Sequence, residues 1–219
     1  YADTIKAAVA DDAVTRLSQA APDATDLVAT RLRNTLLHGG WSTDEHGAGF
    51  AAGQPMFNFQ LPLRHADGSQ KTEDELLKGM NQLWRRNIKK AAKEGVVVRL
   101  GERADLARFH DVYRETAERD GFTGRSLAYF ETMWDALNAE EDGRMRLYLS
   151  EHDDDLVAAT TMVRVGEHAW YSYGASSNAK REVRGSNAIQ WQMIRDAAEA
   201  GCAVYDLRGI TEGVGADDP

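Results

Sequence analysis

The sequence predicts an α/β fold of the α+β kind, with helices packed on a mixed, mostly antiparallel sheet that is splayed open near its fourth strand. Three observations predict it. Period-2 and period-3.6 apolar patterns follow each other in the order strand, two helices, three strands, helix, strand over residues 96–210. The three consecutive strands are separated by hairpin signals, Asp153-Asp154-Asp155 and Gly166-Glu167-His168. The last part, WYSYGASSNAKREVRGSNAIQWQMIRDAAEAGCAVYDLRGI, reads as strand, polar loop, helix, strand. Such a connection makes its two strands parallel and puts a loop at a helix N-terminus.

At 219 residues, 42% hydrophobic and 28% charged, the chain can bury one full core or one domain and part of another. No apolar run approaches the roughly 20 residues that cross a bilayer, and no signal segment opens the chain, so a cytoplasmic location is expected. Cys202, the one cysteine, cannot form an internal disulfide and reads as an inert core thiol. The net charge of −9 argues against indiscriminate nucleic-acid binding but leaves room for a local basic patch. The six histidines have no zinc-ligand spacing and no Ser or Cys partner pattern, so neither a metal site nor a triad is expected.

In chain order, residues 2–39 read as two helical pieces, with Ile5, Val9 and Val14 in the first and Leu27, Val28, Leu32, Leu36 and Leu37 in the second. A glycine-rich loop, 39–53, leads to a strand at 56–63, whose Pro62 suits an edge or an end. Residues 72–95 read as the longest helix, opened by a Thr72/Glu75 capping box and closed by Gly95. Its apolar stripe is Leu76, Met80, Leu83, Trp84, Ile88 and Ala91, and Arg85, Arg86, Lys89, Lys90 and Lys93 form a face of one sign. Two readings stand here: a solvated helix with cations at its C-terminal dipole, or a surface for nucleic-acid phosphates.

A strand at 96–100, helices at 104–119 and 127–139, and strands at 144–150, 156–165 and 169–174 follow. Ser186 or Asn187 is expected to cap the next helix, Gly201 to end it, and Val204, Tyr205 and Leu207 to start the last strand. Arg125 and Tyr129, four apart, are expected on the first helical turn facing one cleft, either as a binding pair or as a capping arginine and a packed tyrosine. Tyr171 and Tyr173 should share a strand face, as should Asp206 and Arg208; the latter two suit either a mutual ion pair or substrate contact.

This order of elements is similar to an acetyltransferase-like (GNAT) domain. Coenzyme-A-dependent members of that layout hold pyrophosphate on a loop of the form (Arg/Gln)-x-x-Gly-x-(Gly/Ala). Aligned on Gly185, this chain has Glu182 first and Asn187 last, which disfavours coenzyme A. The segments QLWRRNIKKAAKEGV, AERDGFTGRSLAYF, WYSYGASSNAKREVRGSNAIQWQMIRDAA and VYDLRGI resemble the Fem family of aminoacyl-tRNA-dependent peptidyltransferases, of an actinobacterial-like type, over residues 50–219.

The resemblance implies transfer of an amino acid from aminoacyl-tRNA to the stem-peptide amine of a peptidoglycan precursor, lipid II or UDP-MurNAc-pentapeptide. No cofactor is implied, and a peripheral contact with membrane-bound lipid II follows. It implies precursor contacts from Arg125 to phosphates and from Tyr129, with Tyr171, Tyr173, Asn187, Asp206 and Arg208 lining the substrate site and the basic helix meeting tRNA. Full-length members carry two acetyltransferase-like domains and a C-terminal Phe-Lys and glycine-rich motif. Residues 1–53 are therefore expected to be the C-terminal part of a first domain with a linker, and 54–219 a second domain that lacks its C-terminal segment. No catalytic residue is assigned. The rival from another class is a non-catalytic RNA-binding module with a vestigial pocket.

Overall fold

The computed structural model describes residues 27–41 and 57–210. Contacts divide the chain into two units, residues 1–58 with 209–219, and residues 59–208. In the first, α1 (Leu27–His38) is the second of the two helices expected near the start; the expected helix around Ile5 to Val14 lies outside the described residues. Gly40 follows α1 at a φ of 85°, a left-handed value that suits glycine.

The second unit is built on one sheet in the order β1-β6-β5-β4-β3-β2. Its strands are β1 (Phe57–Pro62), β2 (Val97–Gly101), β3 (Met145–His152), β4 (Asp155–Val165), β5 (His168–Ser176) and β6 (Val204–Ile210). β2 to β5 form an antiparallel meander, and β5 pairs parallel to β6. The parallel ladder is short: His168, Ala169 and Trp170 face Val204, Tyr205 and Asp206. Among the described residues, β5 beyond Trp170 pairs with β4 alone, which is the opening expected near the fourth strand of the domain. β1, with its Pro62, is an edge strand, where a missing N–H does no harm.

The helices are α2 (Glu73–Gly79), α3 (Gln82–Lys93), α4 (Leu106–Asp120), α5 (Leu127–Glu140) and α6 (Gly185–Glu199). The single helix expected over 72–95 is thus two. The capping box holds: Thr72 N–H donates to Glu75 Oε2 at 2.8 Å and the Glu75 amide to Thr72 Oγ1 at 3.3 Å. After Gly79, however, Met80 leaves helical geometry and Asn81 Oδ1 accepts from the Trp84 amide at 2.8 Å, which caps a new helix. Arg85 then donates to the carbonyls of Lys78 and Met80 at 2.9 and 2.7 Å, so it satisfies the end of α2.

Each sheet face has its own core. On one, Tyr148, Met162, Ala169 and Tyr205 pack with Ile189, Met193 and Ala197 of α6. On the other, Met145, Leu147, Leu149 and Ala159 pack with Leu106, Phe109, Tyr113 and Phe130 of α4 and α5. Period-2 alternation along β3 and β4 assigns side chains to the two cores.

Two irregularities interrupt that alternation. Thr161 faces Tyr173 while Met162 faces Tyr171, so Ser172 is an extra, unpaired residue. Likewise Ser150 faces Ala158 and Glu151 faces Leu156, so Val157 is extra. A bulge of one residue reverses the facing of everything beyond it. Tyr171 therefore packs on the α6 side and Tyr173 on the α4/α5 side, against the expectation that they share a face. The Tyr171 ring folds across Gly174, and a Cβ there would stand 2.0 Å from its hydroxyl and 2.8 Å from Cζ.

Gly174→Ala should therefore destabilise the fold by about 1–3 kcal/mol, as overpacked sites do. Tyr171→Phe in the same chain, which removes the nearest atom, should recover part of the loss in urea denaturation. Equal stability of Gly174→Ala and the parent would show that the ring moves freely.

Candidate functional site

Ser126, not Arg125, caps α5: its Oγ accepts from the Tyr129 amide at 3.2 Å. Arg125 lies one residue before the cap, off the first turn on which it was expected, and its guanidinium stands over the Tyr129 ring at 5.4 Å. Tyr129 and Tyr173 join their hydroxyls at 2.9 Å. The Tyr173 ring meets Tyr113, Phe130 and Tyr129 edge-on, with centroids 6.2, 5.1 and 6.1 Å apart. Its amide donates to Thr161 Oγ1 at 3.1 Å, which ties the bulge to β4. A ring nitrogen of His110 lies 3.1 Å from the Arg125 carbonyl.

The result is an aromatic corner with two phenols and an exposed guanidinium at its mouth. Burial first, and the Tyr129 hydroxyl second, push the Tyr173 phenol up to about 12, so near neutral pH it stays protonated and able to donate. Arg125 can hold an anionic group by paired charged hydrogen bonds, and the phenols can orient a polar substrate beside it.

The other expected site residues lie elsewhere. Tyr171 is on the opposite sheet face, where burial raises its phenol. Asp206 is 3% exposed and takes three contacts: Gln60 Nε2 at 3.1 Å, His168 Nε2 at 3.2 Å and the Arg208 amide at 2.6 Å. Arg208, within β6, takes a φ of 72° and is exposed where Asp206 is buried, and among the described residues its guanidinium forms no ion pair with Asp206. Asn187 lines a cavity of about 180 Å³ with Val157, Ser176, Arg181, Arg184 and Ser186.

Neither Ser186 nor Asn187 caps α6. The helix begins earlier, at Gly185, after Arg184 in a left-handed conformation with φ 65°, and no side chain caps it. On α3, Arg86, Lys89 and Lys93 are exposed, Lys90 is partly buried, and none has an acidic partner among the described residues, while Arg85 serves α2.

Sequence reasoning missed Tyr113, Phe130 and Thr161, which build the walls around Tyr173, and His168, which meets Asp206 and stacks on Trp170 with centroids 4.2 Å apart. The His168–Trp170 spacing of two was a readable signal for one strand face; the partner Asp206 was not, because it depends on the parallel register. Cys202 is buried and its thiol is raised by burial, which leaves it a poor nucleophile. Among the described residues no group of three or more His, Cys, Asp and Glu could hold a metal ion, and no helix is long and apolar enough to cross a membrane.

A meander, a splayed parallel pair and a loop at the α6 N-terminus define an acetyltransferase-like domain, and the profile of the acetyltransferase (GNAT) domain matches residues 80–218. The FemAB family profile matches residues 16–142, and the chain belongs to that family.

Among curated relatives, the UDP-N-acetylmuramoylpentapeptide-lysine N(6)-alanyltransferase of Weissella viridescens is 32% identical over 72% of this chain and 45% of its own length. A lipid II:glycine glycyltransferase of Staphylococcus epidermidis is 25% identical over 71% of this chain and 50% of its own. The chain thus spans about half the length of these relatives. The solved structure of FemX superposes with a TM-score of 0.73 at 21% identity, over 99% of this chain and 71% of that one, which shows the same fold.

The Tyr173 shift has a signed consequence. An unfolded chain releases a tyrosine proton near 10, whereas folded Tyr173 keeps it to about 12. Its contribution to stability is therefore complete below about pH 10 and is lost as pH rises toward about 12. Urea midpoints at about pH 9 and pH 11 should fall less in Tyr173→Phe than in the parent; an equal fall would show that Tyr173 is not the group responsible.

Proposed function

We propose that this chain is the acceptor-facing part of an aminoacyltransferase that moves an amino acid from aminoacyl-tRNA to the stem-peptide amine of a peptidoglycan precursor, building the interpeptide bridge. The observation that carries this reading is the convergence of Arg125, Tyr129 and Tyr173 in one corner, in a chain of the FemAB family whose relatives are named for transfer to such precursors. Arg125 holds a precursor phosphate, and the two phenols line the groove for the peptide.

The donor ester is already activated, so alignment does most of the chemistry. The acceptor nitrogen bonds to the ester carbonyl carbon, and the tetrahedral oxyanion collapses. The carbon–oxygen bond to the ribose then breaks, and the amine proton ends on the released tRNA hydroxyl. The α3 cations meet the tRNA backbone. The site works at the cytoplasmic side, with a peripheral reach to the membrane where the acceptor is lipid II and none where it is UDP-MurNAc-pentapeptide.

Two sets of substitutions separate donor from acceptor. In the complete enzyme, Arg125→Ala should raise the precursor KM about tenfold or more and leave tRNA affinity unchanged. Replacing Arg86, Lys89 and Lys93 by glutamine should do the reverse, weakening tRNA binding and flattening its dependence on salt. Transfer of labelled amino acid from tRNA to the precursor is the direct assay. Binding of tRNA without any transfer would instead mark an RNA-binding module.

A further inference from the structure

His110 stands beside the aromatic corner, and none of the chemistry above uses it. It is half-buried on α4, with its ring tilted against Tyr113 and Phe130 at centroid distances of 6.4 and 6.2 Å. Its Nε2 lies 3.1 Å from the Arg125 carbonyl oxygen. A carbonyl can only accept, so Nε2 carries the proton and donates it. Among the described residues that carbonyl has no other hydrogen-bond partner.

Arg125 sits in the short irregular segment 122–126 between α4 and α5. This segment is seated on α4. The Phe122 amide donates to the Ala117 carbonyl at 3.1 Å, and the Phe122 ring meets Tyr113 edge-on at 5.7 Å. Gly124 lies so close to the helix that a Cβ there would stand 3.3 Å from Tyr113 Cε1 and 3.4 Å from Ala117 Cβ. His110, three residues before Tyr113 and so on the same side of α4, is the contact that acts on residue 125 itself.

The Arg125 side chain needs such a hold. It is exposed and has no acidic partner among the described residues, and its guanidinium stands over the Tyr129 ring at 5.4 Å. A long arginine has many rotamers, and contact with a ring face selects among them only loosely. Fixing the peptide group from which the side chain leaves narrows the set.

We infer that His110 is a positioning residue for precursor binding: its Nε2–H fixes the backbone of Arg125, so that the guanidinium stands beside the two phenols before the phosphate arrives. The inference rests on the acceptor reading above and adds a residue that acts through Arg125 without touching the substrate. Ordering a group in advance lowers what binding must spend on ordering it, so the effect falls on the precursor KM and leaves kcat and tRNA affinity alone.

The test is made in the complete enzyme. His110→Phe keeps a ring between Tyr113 and Phe130 and removes the donor. It should raise the precursor KM about three- to tenfold, the scale of one lost hydrogen bond, with kcat and tRNA affinity unchanged. His110→Gln, whose Nε2 has a similar reach, should restore most of the parent KM. His110→Asn, whose amide nitrogen stops at the reach of Nδ1, should not. In an Arg125→Ala background, His110→Phe should raise KM no further, because no guanidinium is left to position. Where His110→Phe melts lower than the parent, these comparisons still decide, since a general loss of packing follows neither the reach of an amide nor the presence of Arg125.

A parent-like KM in His110→Phe, equal impairment of the Phe and Gln variants, or additive losses in the double variant would overturn the positioning role. The acceptor reading stands in each of these cases so long as Arg125→Ala alone raises the precursor KM. An unchanged KM in Arg125→Ala would overturn both.

Discussion

Ser172 is the residue on which the arrangement turns. By standing unpaired between Tyr171 and Tyr173, it sends one ring into the α6 core and the other toward α5, where the Tyr129 hydroxyl waits at 2.9 Å. Without the bulge, Tyr173 would lie on the α6 side and Arg125 and Tyr129 would face a strand surface with no phenol. The bulge is held from both directions. Thr161 accepts from the Tyr173 amide, and the Tyr171 ring lies over Gly174, where any side chain would collide. A local break in pairing is thus converted into a fixed site, because neighbours on both faces specify it.

The opening that exposes this corner depends on how few residues join β5 to β6. The ladder ends at the Trp170 and Asp206 pair, and Asp206 ties the end together by reaching Gln60 on β1, His168 on β5 and the Arg208 amide on its own strand. A carboxylate with three partners can remain buried. Its place at the vertex makes Asp206 a structural joint. Within β6, Arg208 then takes a left-handed φ of 72°.

Much of the frame was legible because it is local. The capping box at Thr72, the glycines that end helices, the hairpin turns and the alternation along β3 and β4 each depend on residues within a few positions of one another. What escaped was what depends on partners far along the chain or on one-residue choices. Asn81 caps a second helix where one longer helix had been expected to run on, and Ser126 caps α5, a role the sequence had left open for Arg125. The two bulges left no mark in composition, since period-2 reading presumes an unbroken register. The aromatic walls at Tyr113 and Phe130 are also part of the core against α4 and α5, so nothing local in the sequence marks them as site residues.

Charge shows why an acidic chain can still present sites for anions. Many arginines are neutralised: Arg99 by Asp105 and Glu151, Arg103 by Asp135, Arg108 by Glu151, Arg119 by Asp120 and Arg164 by Glu141. The α3 cations, Arg125, and Arg181 with Arg184 lack such partners among the described residues, as do the more isolated Arg114 and Arg208. A net charge of −9 repels polyanions at a distance, so attraction survives only where cations are unpaired and close together. On the function proposed above, an enzyme that admits one RNA end and one phosphorylated precursor, yet releases an RNA product each cycle, would be served by such small separate patches. A uniformly basic surface would hold the product as firmly as the substrate and slow its release.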